Sequence, residues 1–391
     1  MASRRTAVAI IGAGPAGMLL GHLLRLADID VVVIERKDRE HVLSRIRAGI
    51  LESTTTDLMR RLGLGQRLDR EGIIHEGLIL SSRDQDTRLD LVELTGRTVT
   101  AYGQTEISRD LFDAASERGV EIVWNAEAVA LHDLDGRPYV TWSDGTQTHR
   151  LDCDFIAGCD GSYGVSRQSI PKGVVQAFEQ IYPFGWLGIL SDVPPCSHEV
   201  IYSRHQRGFA IASMRSMTRS RYYVQVPLED TVEAWPDERL WRELELRLGP
   251  QAAKTITCGP AIEKSIAPLR SYVQEPMRYG ALFLAGDAAH IVPPIGAKGL
   301  NLAASDVIYL GDALTRFYRQ GEKDGLDGYS AKALSRIWRT ERFSWHLTRL
   351  MHQFPETSAF ENRMHEAELD AIAKSPAMQA ALAEHYVGLP L

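Results

Sequence analysis

The hydrophobic positions change their period several times along the chain, and each change marks an element. Ala7 to Ile11 is a continuous apolar run, the pattern of a strand buried on both faces. Gly12-Ala13-Gly14-Pro15-Ala16-Gly17 interrupts it, and Met18 to Leu26 then carries leucine at helical spacing. Val31-Val32-Val33-Ile34 is a second buried run and ends on Glu35. Together these predict a βαβ opening. A Ser/Thr cluster caps a predicted helix from about Thr54 to Leu62, and another helix is expected over Ser108 to Arg118. Asp144-Gly145 reads as a hairpin turn leading into one apolar strand, Leu151 to Gly161. After Pro171 the period becomes two. His198 to Ser203, Gly208 to Arg215 and Arg221 to Val226 predict an antiparallel sheet with aromatic and polar side chains on one face. Ala281 to Leu284 is again a buried strand, followed by Gly286-Asp287, and the loop Pro293-Pro294-Ile295-Gly296-Ala297-Lys298-Gly299 leads into a helix. From Tyr329 the pattern is helical and charged, without glycine until Gly388.

A chain of 391 residues has room for two to three domains at roughly 150 residues each. Its 44 Lys+Arg against 51 Asp+Glu give a net charge of −7, which disfavours a grip on nucleic-acid phosphates. With 44% hydrophobic and 24% charged residues the composition is that of a folded globular protein. Cys153, Cys159, Cys196 and Cys258 form neither a C-x-x-C pair nor a metal-ligand cluster, so no metal is expected and a reducing cytoplasm suits them. Arg4-Arg5 before the uncharged stretch Thr6 to Leu24 imitates an export signal, but Gly12, Gly14, Pro15, Gly17 and Gly21 interrupt it. No other stretch approaches the ~20 apolar residues of a membrane span. A soluble protein with no membrane partner is expected.

The opening unit carries chemistry. Gly12, Gly14 and Gly17 let backbone approach a pyrophosphate at a helix N-terminus, and Glu35 can accept ribose hydroxyls. Glu35, Asp160 and Asp287 each follow a buried strand, where a parallel sheet presents ligands, and three such acids imply a long dinucleotide. Ser213 and Arg215 share a strand face, offering a hydroxyl and a planar fork for a carboxylate, with Tyr223 as a third donor. Taken alone, Arg215 also fits a surface arginine among Arg204, Arg207, Arg219 and Arg221. Tyr202 and Tyr386 alone fit core aromatics, and His75 a loop histidine.

The glycine pattern, Cys159-Asp160-Gly161 and Gly286-Asp287, in that order, resemble the flavoprotein aromatic hydroxylases. Arg45-Ile46-Arg47-Ala48-Gly49, Tyr102-Gly103-Gln104-Thr105-Glu106, Tyr182 to Gly188, Ser220 to Pro227, Gly286 to Pro294 and Tyr386-Val387-Gly388-Leu389-Pro390 narrow the resemblance to the para-hydroxybenzoate hydroxylase family, nearly end to end. The resemblance implies an α/β fold: an FAD-binding Rossmann-like domain of glutathione-reductase type (1–175 and 279–320), an inserted antiparallel-sheet substrate domain (176–278) and a C-terminal helical region (321–391). It implies FAD held by Gly12, Gly14, Ala16, Gly17, Glu35, Arg45, Ile46, Arg47, Ala48, Gly49, Ile50, Gln104, Asp160, Asp287, Gly299, Leu300 and Asn301. Substrate contacts are implied from Tyr202, Ser213, Met214, Arg215, Tyr223 and Pro294. A proton wire is implied from Tyr202 through Tyr386 to His75, which would exchange with solvent near physiological pH, with Pro294 beside the reaction. NADH or NADPH would be read by Arg36, His41, Arg45, Arg167 and Arg270.

The implied activity is hydroxylation of 4-hydroxybenzoate to 3,4-dihydroxybenzoate, with O2 activated at the reduced flavin, in a homodimer. The alternatives are another hydroxy- or aminobenzoate as substrate or, from a different class, a non-catalytic FAD-binding redox sensor. This sequence departs from the family at Ile295 (usually Thr), Ala16 (Ser), Tyr163 (His) and His41 (Tyr).

Overall fold

The computed structural model describes residues 4–44, 49–83 and 85–391. The chain opens with strand β1 (Val8–Ile11), helix α1 (Pro15–Leu26) and strand β2 (Val31–Ile34), and returns beside them with β3 (Phe155–Gly158). It then leaves for an antiparallel stretch: β4 (Gln176–Ser191), β5 (Val200–Arg204), β6 (Ala210–Ser216), β7 (Arg219–Pro227) and β8 (Glu263–Glu275). It comes back with β9 (Leu282–Leu284) and helix α2 (Gly299–Gln320), and continues as α3 (Tyr329–Met351), α4 (Ala359–Lys374) and α5 (Pro376–Val387).

Every residue of β1, β2 and β9 is buried, which explains their unbroken apolar runs. β1 lies between β2 and β3, with β9 beyond β3, all parallel. The loops after these strands therefore gather at one edge. Helix α1 starts with Pro15 at its first turn and Gly14 as an N-cap without a side-chain bond. α2 ends at Gly321 in the left-handed conformation, φ 74°.

The second sheet has eight strands and runs His290–Ile291, β8, β4, β7, β6, β5, Gly77–Ser82, Gln85–Asp90. It is not confined to 176–278, as the sequence suggests. Gly77–Ser82 pairs in parallel with β5, and its alternating Leu78 and Leu80 are buried with Tyr202 in one apolar cluster, closing an edge that β5 would otherwise expose. One face packs on helix Asp237–Arg247 through Tyr222, Trp235, Leu240 and Trp241. The other is covered by α3, α4 and α5.

Two further expectations change. Leu151 to Gly161 is not one strand: Thr148–Asp152 belongs to a separate four-stranded sheet, and only Phe155–Gly158 joins the parallel sheet. The helix placed at Ser108 to Arg118 spans Gln104–Ala115, starting right after Gly103.

Candidate active site

The turn between β1 and α1 is built for close backbone contact. A Cβ on Gly12, at φ +100°, would stand 2.5 Å from the Cys159 carbonyl, and one on Gly17 would stand 2.0 Å from the Gly12 carbonyl. A Cβ on Gly14 would meet nothing within 4 Å, so the helix N-terminus, with Ala16 in its first turn, presents uncapped amides on an open side. Glu35 follows β2, accepting from the amides of Ala13 (2.8 Å) and Lys37 (3.0 Å) and keeping a lone pair on each oxygen. Asp160 follows β3. Its Oδ2 accepts from the Ser166 amide at 2.9 Å, while its buried Oδ1 has no partner among the described residues. Burial raises its pKa. Asp287 lies in the turn after β9. Strands at ~4.8 Å spacing put β2 and β9 about 14 Å apart, the scale of an extended dinucleotide.

Ile50–Leu51 pairs with Val99–Ala101, which brings Gly49 and Ile50 alongside Gln104, the first residue of its helix. A Cβ on Gly49 would stand 2.1 Å from the Tyr102 carbonyl. Arg45, Ile46, Arg47 and Ala48 lie outside the described residues. Gly299 and Leu300 open α2, which again lacks a side-chain cap. Asn301 differs from expectation: its Oδ1 accepts from the Glu52 amide (2.9 Å) and Thr55 Oγ1 (2.7 Å), and its Nδ2 donates to the carbonyls of Ile50 (2.9 Å) and Ala297 (2.8 Å). That buried side chain is spent inside the protein, leaving its backbone amide for any ligand. The open glycine turn, the orphaned Asp160 oxygen and two uncapped helix starts fit a bound FAD.

On the second sheet, register lines up Tyr202, Ile211, Tyr223 and Gly188 across β5, β6, β7 and β4. Ser213 stands opposite Arg221, two residues along the same face. A bulge between Met214 and Ser216 falls at Arg215 and re-aims it. Burial lowers the Arg215 guanidinium below its ordinary value against the pull of the Tyr223 hydroxyl, yet an arginine stays charged. Its buried Nε has no partner, and no ion pair holds it among the described residues. Tyr202, Ser213, Arg215 and Tyr223 thus share a face.

Met214 does not belong with them. It pairs across with Ser220, on the face where Tyr222 packs against Trp241, so its side chain turns away. The Ser213 hydroxyl also differs, donating to the Arg221 carbonyl at 3.0 Å rather than standing ready for a ligand.

Tyr386, on α5, reaches this face from above. Its hydroxyl lies 3.2 Å from that of Tyr202, so residues 184 positions apart meet. Burial pushes Tyr202 up to about 12, opposed by Tyr386 and the Gly296 amide, and raises Tyr386 well above its ordinary value. Pro294 is exposed, while Ile295 is fully buried in the cluster holding both tyrosines.

His75 departs from its expected role. Only 1% exposed, with no partner on either ring nitrogen among the described residues, it is pushed down to about 4 by burial and by His198, so it is neutral at physiological pH. Among the nicotinamide candidates, Arg36 and His41 are exposed, His41 on a helix capped by Asp38. Arg167 instead donates to the Asp287 and Ala288 carbonyls and lies 4.2 Å over the Tyr272 ring, bracing the Asp287 turn. Arg270 pairs with Glu179 at 3.5 Å.

Sequence reasoning missed a second brace. Asp306 Oδ2 bonds His290 Nε2 (2.6 Å) and accepts from the Gly286 amide (2.9 Å). Burial opposes protonation of His290, but Asp306 wins and raises its pKa. His290 lies on the short strand His290–Ile291, just before the loop that starts at Pro293, and no sequence pattern marks it.

Among the described residues no helix is long and apolar enough to cross a membrane. The FAD binding domain family matches residues 5–344. The p-hydroxybenzoate hydroxylase of Acinetobacter baylyi is 53% identical over 391 residues, covering 100% of this chain and 97% of that one. The p-nitrophenol 4-monooxygenase structure from Pseudomonas putida shares the fold, with TM-score 0.84 at 18% identity over 99% of this chain and 100% of its own. The structure of Pseudomonas aeruginosa PqsL in complex with 2-aminobenzoylacetate gives a TM-score of 0.82 at 22% identity, over 94% and 100% of the two chains. With a dinucleotide edge beside an enclosed aromatic face, and full-length identity of this order, the chain belongs to the FAD-dependent aromatic hydroxylases of the p-hydroxybenzoate hydroxylase type, which take their electrons from NAD(P)H.

Proposed function

We propose that the protein hydroxylates 4-hydroxybenzoate at carbon 3, giving 3,4-dihydroxybenzoate, with NADH or NADPH and O2 as co-substrates. The observation that carries this reading is the single sheet face where Arg215, without an ion pair among the described residues, and the Tyr202–Tyr386 pair stand together. The name of the 53% identical relative supports the same substrate.

Bound FAD, once reduced, supplies the activated oxygen. Arg215 and Tyr223 hold the substrate carboxylate, the guanidinium fork matching its two oxygens. Ser213 joins them once its hydroxyl turns from the Arg221 carbonyl. The substrate phenol, with an ordinary pKa near 10, must lose its proton to make the ring carbon beside it nucleophilic. Tyr202 accepts that proton while passing its own along the 3.2 Å bond to Tyr386, whose hydroxyl proton in turn leaves to solvent water. Both tyrosines are protonated at neutral pH, and burial raises their pKa values further, so they relay a proton without storing charge. Ile295 and the surrounding aromatics exclude water from the reacting centre. We place the enzyme in the cytoplasm, where its cysteines stay reduced, as a homodimer, as the resemblance implies.

The test is coenzyme oxidation by the purified holoenzyme with and without 4-hydroxybenzoate. Strong stimulation with a catechol acid as product supports the reading, and indifference to aromatic acids contradicts it.

A further inference from the structure

From the last turn of α5 onward, the carbonyls of the C-terminal segment are held by cations. Lys298 Nζ donates to the Tyr386 carbonyl at 2.7 Å, Arg97 to that of Gly388 at 3.1 Å, and Arg336 to those of Leu389 and Pro390, the latter at 2.9 Å. Lys298 and Arg336 also share one carboxylate: Glu52 Oε1 accepts from Lys298 at 2.7 Å and Oε2 from Arg336 at 3.3 Å. All three side chains are at least 96% buried. Two cations on one buried anion leave a positive excess, which the backbone carbonyls of the segment offset. Gly388 makes the approach possible, since a Cβ there, at φ +98°, would stand 2.1 Å from Glu52 Oε2.

These contacts close a loop around the tyrosines. Tyr386 bonds Tyr202 through its hydroxyl and Lys298 through its carbonyl, Lys298 continues the chain from Gly296, and the Gly296 amide faces the Tyr202 hydroxyl. Arg336 touches neither hydroxyl. It braces the loop from outside, through Glu52 on one side and the segment after Tyr386 on the other.

We propose that Arg336 is a positioning residue for the proton relay, holding the Tyr386 hydroxyl against Tyr202 through Glu52 and the carbonyls of Leu389 and Pro390. This rests on the relay reading above. A relay with a loosened second member leaves the substrate phenol protonated, and the activated oxygen is then released as hydrogen peroxide.

The test compares the wild-type holoenzyme with Arg336→Gln, Arg336→Lys and Arg97→Gln. Backbone hydrogen exchange over residues 384–391, read by mass spectrometry without substrate, reports the clamp, and the share of consumed coenzyme recovered as hydrogen peroxide with saturating 4-hydroxybenzoate reports the relay. Arg336→Gln should raise exchange in that segment at least tenfold and the peroxide share at least threefold, with the Kd for 4-hydroxybenzoate within threefold of wild type. Arg336→Lys should restore part of both, and Arg97→Gln should move both the same way by less. Faster exchange with an unchanged peroxide share would reduce Arg336 to packing alone, and unchanged exchange would remove the clamp. Should Arg336→Gln not yield folded holoenzyme, Arg336→Lys and Arg97→Gln decide on the same two readouts. A wild-type enzyme indifferent to 4-hydroxybenzoate would instead overturn the functional reading, and is seen before any variant is made.

Discussion

Arg215 is placed by one irregularity, the bulge between Met214 and Ser216, and is left without an ion pair among the described residues, its Nε without a partner. A guanidinium so held gains most when a carboxylate arrives. Arg215→Ala should therefore weaken 4-hydroxybenzoate binding by about 2–4 kcal/mol, the scale of truncating one partner of a desolvated charge pair, while a fluorescence titration shows FAD still bound. An unchanged Kd would place the carboxylate elsewhere. Ser213→Ala should cost less, because that hydroxyl already has a partner in the Arg221 carbonyl. Tyr202→Phe keeps the ring and removes the relay. Substrate should bind and coenzyme be consumed, with most of the oxygen recovered as hydrogen peroxide, and a wild-type peroxide yield would take Tyr202 out of the chemistry. At this scale the strand alternation of β6 puts Ser213 and Arg215 on one face, but does not show the bulge that sets the aim of Arg215. It also excluded Met214 from that face, but the resemblance had included it. The direction of the Ser213 hydroxyl depends on β7, which alternation in β6 does not encode.

The start of α1 offers a test that separates fold from ligand. Alanine at Gly14 meets nothing within 4 Å, and the φ of −66° suits any residue, so thermal stability of the apoprotein should hold. If a pyrophosphate lies against that turn, Gly14→Ala should still raise the FAD Kd at least tenfold, and an unchanged Kd would move the phosphate site. His75, on strand Ile73–His75, carries a pH signature. Its folded pKa near 4 lies below the unfolded value of 6.5. Above 6.5 neither state binds the proton, whereas between the two values only the unfolded chain does. Stability is therefore lost as pH falls from about 6.5 towards 4, by about 2–3 kcal/mol at pH 4.5. Denaturant titrations at pH 7 and 4.5 should show His75→Gln losing less stability on acidification than wild type by that amount, and equal losses would contradict a neutral buried His75. The βαβ opening and the long C-terminal helices were legible because their periods are local. The parallel pairing of Gly77–Ser82 with β5, the split at Cys153-Asp154 and the Lys298–Glu52–Arg336 contact were not, since each depends on partners far away in sequence.

At the scale of the whole molecule two of the sheets build the site, the parallel one presenting backbone and acids to a dinucleotide and the eight-stranded one closing an aromatic face under α3, α4 and α5. The described nicotinamide candidates that remain open to solvent are Arg36 and His41, with the acids Asp38 and Glu40 close by in sequence. Exposed charges of this kind are worth ~1 kcal/mol or less each. Both coenzymes should serve, with a slight lean to NADH and a kcat/KM ratio under about a hundredfold, or ~3 kcal/mol. A larger ratio measured at fixed ionic strength would reveal a dedicated phosphate-reading or phosphate-rejecting site. The account as a whole stands on the joint action of the two sheets on one aromatic acid. Turnover of 4-hydroxybenzoate under 18O2, with the product analysed by mass spectrometry, tests this most directly. The account predicts 3,4-dihydroxybenzoate carrying one labelled oxygen at carbon 3, formed nearly one for one with coenzyme oxidised. Coenzyme consumed without a hydroxylated aromatic product, or a product whose new oxygen is unlabelled, would contradict it.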